Sequence, residues 1–65
     1  MKYKSIIESL LSKDWKSTSS IKRDVEKKSK KSINWYTINY ALEGLLKEGK
    51  VEKIESNNVT LWRKR

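Results

Sequence analysis

The sequence predicts an α+β domain, three helices followed by a two-stranded β-hairpin, and three observations carry that prediction. Apolar residues recur at helical spacing over about 2–13, 20–28 and 35–47. The helical rhythm stops at Gly49. Beyond it lie two runs rich in β-branched and aromatic residues, 51–55 and 59–63, separated by Ser56-Asn57-Asn58. At 65 residues the chain fits one domain, read as spanning 1–65.

Tyr3, Ile6, Ile7, Leu10 and Leu11 make one apolar face of a helix from Lys2 to about Lys13. Thr18-Ser19-Ser20 then offers several capping oxygens for a second helix, Ser20 to Lys28, whose narrow stripe is Ile21 and Val25. Ser17-Thr18 is a candidate short strand between these helices. The run Lys27-Lys28-Ser29-Lys30-Lys31 has no apolar residue and repels itself, so it reads as a turn. Ser32 or Asn34 caps the third helix, which has the strongest period in the chain: Trp35, Ile38, Ala41, Leu42, Leu45, Leu46. It closes at Lys47-Glu48-Gly49, a basic last turn followed by a glycine suited to the left-handed cap. In the hairpin, a two-residue turn sets Ile54 and Leu61 on one face and Val51 and Trp62 on the other, whereas a longer loop or a bulge changes that register.

Composition narrows the function. Sixteen Lys and Arg stand against eight Asp and Glu, a net charge of +8 that attracts polyanions. With no cysteine and no histidine, disulfides and the usual sulfur or imidazole zinc sites are excluded, so the core alone, or a partner subunit, must hold the fold. A chain of this size buries only roughly 60% of its unfolded surface. The acids are scattered and suggest no acid/base couple, which argues against an enzyme, a small-molecule substrate or a cofactor. No apolar stretch is long enough to cross a bilayer, so no membrane role is expected. Bias toward Lys, Ile and Asn fits an AT-rich genome, archaeal or viral, and a place in the cytoplasm on the nucleoid or in the cytoplasm of a host cell.

The run Thr37-Ile38-Asn39-Tyr40-Ala41-Leu42-Glu43-Gly44-Leu45-Leu46-Lys47-Glu48-Gly49-Lys50-Val51 resembles the recognition-helix signature of winged helix-turn-helix DNA-binding domains. Thr37, the β-branched Ile38, Leu42, Leu45, Gly49 and Val51 meet the signature's spacing, and Ser19-Ser20-Ile21 with Val25 is similar to that family's second helix. The resemblance implies a small stand-alone transcription regulator that binds double-stranded DNA, with the third helix in the major groove and the hairpin as the wing.

The conspicuous apolar residues of that run are expected in the core, so function falls to what remains exposed. Tyr36, Asn39 and Tyr40 have the chemistry to read or flank base edges. Ser32, Asn34 and Thr37 suit phosphate near a helix N-terminus. Lys22, Arg23, Lys28, Lys30 and Lys31 suit the sequence-independent hold on phosphates, and Lys53, Asn57, Asn58 and Arg63 the wing's contacts. Trp35 stays open between core, backbone contact and subunit interface. The domain is read as a monomer or as a homodimer through the first helix, around Tyr3, Leu11 and Trp15.

Two other functions compete. Winged helices also serve as protein adaptors, which need no uniformly basic face. Asn39, Gly49-Lys50 and Trp62 also resemble features of Z-form-binding winged helices, but Glu43 stands where those carry Tyr, and their wing prolines are missing.

Overall fold

The computed structural model describes residues 2–65. Its order is α1 (Lys2–Leu10), β1 (Lys16–Ser17), α2 (Thr18–Ser29), α3 (Trp35–Lys47), β2 (Val51–Ser56) and β3 (Val59–Lys64). The predicted α+β architecture is the one observed. The strands form one antiparallel sheet in the order β1-β3-β2.

Several boundaries differ from expectation, each for a local reason. α1 stops at Leu10 rather than Lys13, because the Ser12 carbonyl accepts the Lys64 backbone N–H at 2.7 Å and draws the chain to the end of β3. The cap of α2 is Ser17, one residue ahead of the expected Thr18-Ser19-Ser20 run, with its hydroxyl accepting the Ser20 N–H. Thr18 is thereby helical, and the short strand is Lys16–Ser17. α2 also runs one residue past the expected Lys28, to Ser29, so that the first part of the run 27–31 is helix rather than turn. It ends at Lys30, which adopts φ 59°, a left-handed conformation that usually falls to Gly or Asn.

Asn34, not Ser32, caps α3, its side-chain oxygen accepting from the Thr37 N–H at 2.8 Å. At the other end Gly49 takes φ +72°. Its N–H reaches the Leu46 carbonyl and that of Lys50 reaches Leu45, each at 3.0 Å. This is the Schellman arrangement, and a side chain at Gly49 would be strained. Asn57 and Asn58 both have positive φ, 47° and 66°, as a two-residue type I′ turn requires. Register follows: Ile54 opposes Leu61 and Lys53 opposes Trp62.

That register turns Val51 and Trp62 inward. They join Ile7, Leu11, Ile21, Val25, Ile33, Ile38, Ala41, Leu42 and Leu45 in one core. Ile33 was not anticipated there, and Leu46 only packs against the rim. Trp62 anchors the sheet to the helices, donating its indole N–H to the Thr18 hydroxyl at 2.8 Å. The expected α1 dimer face is divided: Leu11 lies in the core, Tyr3 packs against it, and Trp15 sits under Arg63 beside the sheet.

Candidate nucleic-acid interface

The corner between α2 and α3 is held by one carboxylate. Glu26 Oε2 accepts the Ile33 backbone N–H at 2.7 Å and Lys22 Nζ at 3.0 Å. These bonds, the backbone one foremost, hold the Glu26 carboxyl below the usual carboxylate range. Lys22 also lies over the Trp35 ring, 5.2 Å from its centre. The clasp sets the start of α3 against α2, and with it the direction in which α3 presents its outer face.

That face is aromatic and polar. Tyr36 is 76% exposed, Tyr40 56% and Trp35 50%. Tyr36 and Tyr40, one helical turn apart, stack at 6.2 Å between ring centres with planes 25° apart. Asn39 is exposed beside them, and Thr37 is half-buried. Asn39 also lines a shallow groove of about 340 Å3 with Trp35, Asn58 and the hydroxyl residues Ser17, Thr18 and Ser19. The groove joins the α2 N-terminus, the first turns of α3 and the hairpin tip. From sequence Thr18 and Ser19 are capping oxygens, and Ser17 with Thr18 a short strand. Their place beside Asn39 and Asn58 depends on the β1–β3 pairing, which juxtaposes Ser17 and Leu61.

The cations divide into two kinds. Among the described residues every acid except Asp14 forms an ion pair. Lys22 is one of the paired cations. Lys53 binds Glu43 at 2.9 Å and Glu55 at 3.5 Å, and the Glu43 bond raises its ammonium above the ordinary lysine range. Arg63 binds Glu52 and stacks over Trp15, 4.4 Å from the ring centre. Lys4 pairs with Glu48, which keeps that carboxyl low. By contrast Arg23, Lys27, Lys28, Lys30 and Lys31 are exposed and in no ion pair among the described residues. Asp24 and Glu26, the acids of α2, are both taken up by Lys16 and Lys22.

Among the predicted site residues the structure therefore groups Arg23, Lys28, Lys30, Lys31 and the exposed Ser32 on α2 and the turn, and Tyr36, Asn39 and Tyr40 on α3. Asn34 is occupied as a cap, and Lys22, Lys53 and Arg63 are engaged within the protein. Asn57 and Asn58 form the hairpin tip. Among the described residues no group of acids could hold a metal ion, and no helix is long and apolar enough to cross a membrane.

No protein-family model and no curated protein sequence matches the chain. Two solved structures do. The complex structure of hsRosR-S1 superposes over the whole chain with a TM-score of 0.91 at 21% identity. The chain spans 59% of that protein's length. A structure described as showing the DNA recognition and protein interaction domains of HOP2 aligns with 95% of this chain and 97% of its own, at a TM-score of 0.82 and 17% identity. With these neighbours, three helices and a three-stranded antiparallel sheet make a winged-helix fold.

Proposed function

We propose that this chain is a double-stranded DNA-binding domain of the transcription-regulator kind. The first turns of α3 enter the major groove with Tyr36, Asn39 and Tyr40, while Arg23, Lys28, Lys30 and Lys31 hold phosphates. The observation that carries this reading is the block of unpaired cations on α2 and its turn, next to the exposed start of α3. An interior use for those charges is lacking, and a phosphate backbone is the partner that neutralises such a block. The hydroxyls at the α2 N-terminus and the Asn57-Asn58 tip lie at the margin of the same face, suited to a second stretch of backbone. The likeness to a HOP2 structure described in terms of DNA recognition supports the same partner.

The competing readings have less to stand on. A protein adaptor needs no block of unpaired lysines. Z-form binding would draw on Trp62, which is in the core with its indole N–H on Thr18.

A mobility-shift titration on duplex DNA across salt concentrations tests the proposal. Binding at low salt is expected, with the logarithm of affinity falling linearly against the logarithm of salt. Absence of binding at low salt, or affinity indifferent to salt, overturns it. Asn39→Ala is expected to weaken a selected site more than random duplex; equal losses on both remove Asn39 from base reading.

A further inference from the structure

We propose that the same face of α3 also binds single-stranded nucleic acid, with unpaired bases stacking on Tyr36 and Tyr40. This rests on α3 being the nucleic-acid face, and goes beyond duplex binding.

Tyr36 and Tyr40 are not packing residues. Neither is needed by the core, which closes without them. Both are more than half exposed, on adjacent turns of one helix, with nearly parallel planes. They therefore offer solvent aromatic ring area as well as two hydroxyls. A duplex keeps the faces of its bases inside its own stack and offers a protein only their edges. An unpaired strand offers the faces, and every base has one, so stacking on aromatic side chains is tolerant of sequence.

The surroundings fit a single strand as well. Such sites combine aromatic platforms with a positive track for the backbone. Here Arg23, Lys27, Lys28, Lys30 and Lys31 supply unpaired positive charge on α2 and the turn that leads into α3. The acid nearest the platform along α3 is Glu43, and Lys53 neutralises it at 2.9 Å. On the next stripe of the helix, Trp35 adds a third half-exposed ring beside Asn39.

Fluorescence anisotropy of labelled oligothymidylate and oligouridylate, each about 16 nucleotides, tests the proposal, with duplex DNA as a parallel arm. The unaltered protein is expected to bind the single strand. Replacing both rings (Tyr36→Ala with Tyr40→Ala) is expected to lower that affinity roughly 10- to 100-fold. Tyr36→Phe with Tyr40→Phe keeps the ring faces and is expected to stay within about 3-fold of the original. Circular dichroism and melting temperature should be unchanged in both variants, since neither ring supports the core. Binding of either strand supports the proposal.

Three results overturn it: no single-strand binding, an alanine pair that binds as well as the original, or a phenylalanine pair that loses as much as the alanine pair. The last would assign the contact to the hydroxyls. Duplex binding that survives any of these leaves the double-strand reading standing, whereas loss of both at low salt removes that reading too.

Discussion

The two basic stretches of this chain, α2 with its turn and the β2–β3 hairpin, look alike as sequence and differ as structure. Along the hairpin Lys53 and Arg63 are consumed internally, by Glu43 and Glu55 and by Glu52 and Trp15, which leaves Lys64 as its one cation without an ion pair among the described residues. Along α2 and the turn the acids are consumed instead, by Lys16 and Lys22, and five cations are left over. The difference teaches that the sign of a segment is a poor guide to what it offers a partner. What counts is which charges remain after the fold has paired the others.

The comparison breaks most visibly in DNA binding. Neutralising Lys27, Lys28, Lys30 and Lys31 together to Gln should lower duplex affinity on the order of 100- to 1000-fold at low salt and flatten the salt slope by about 3 to 4. Lys53→Gln with Arg63→Gln should change it by less than about 3-fold, because those charges are already committed inside the protein. Mobility shifts at several salt concentrations measure both. If the hairpin pair matters as much as the turn, the division drawn here between free and committed cations is wrong.

A second test addresses the hairpin as structure. Trp62→Phe removes the indole that fills the core and the N–H bonded to Thr18. It should cost about 2–4 kcal/mol of stability, measured by thermal or urea unfolding. Because Trp62 joins the hairpin to the α2 N-terminus, the loss should be shared by both. The duplex affinity of the fraction still folded should hardly move. An affinity that falls with the mutation in fully folded protein would give Trp62 a direct role, as the Z-form reading requires.

The two regions also differ in how much of them the sequence disclosed. The α3 period, the Gly49 cap and the core positions Ile38, Ala41, Leu42 and Leu45 were legible because they are local: spacing, a basic last turn and a glycine suffice. The hairpin register was legible up to the length of its turn, which positive φ at both Asn57 and Asn58 decided. The clasp at Glu26 was not legible. It joins residues seven apart through a backbone N–H at Ile33, a position with no helical or strand periodicity around it. Burial of Ile33 went unread for the same reason. The end of α2 was legible to within one residue, Lys28 against Ser29, but like-charge repulsion made a turn of Lys27-Lys28-Ser29, which is helical, and the left-handed cap falls on Lys30, a residue type seldom found so. The pairing of Lys53 and Arg63, and the gathering of Ser17, Thr18 and Ser19 beside Asn39 and Asn58, depend on tertiary contacts that residue spacing does not encode.

Lys30 offers a sharper and smaller test, since it is both an unpaired cation and a left-handed residue. Lys30→Gly relieves the backbone and should raise stability by about 1 kcal/mol. It also deletes one phosphate contact, so duplex affinity should fall by several-fold and the salt slope by about 1. Higher melting temperature with weaker binding is the signature of a residue kept for its charge. Gain without loss would place Lys30 off the DNA face while leaving its neighbours on it.

The mildest perturbation is pH, and it separates the clasp from the hairpin without a mutation. Glu26 and Glu48 have folded-state carboxyls held below their ordinary 4.5, so each adds stability that is full above that value and lost as pH falls through the folded value. Lys53 is displaced the other way, above 10.5, so its pair with Glu43 is full below that value and lost only as pH rises through the folded value. Melting temperature should therefore be level around neutrality, decline modestly on acidification below pH 4.5, and decline again only in strong alkali. Glu26→Gln should lower the neutral plateau and shrink the acid decline, because an amide cannot lose a charge. It should leave the alkaline limb, which reports Lys53, where it was. A Glu26→Gln protein that melts like the original across the acid range would mean the carboxylate does not hold the α2–α3 corner. The setting of α3, and with it the aim of Tyr36, Asn39 and Tyr40, would then have to come from the core contacts of Ile33, Ile38, Ala41, Leu42 and Leu45 and from Lys22 over the Trp35 ring.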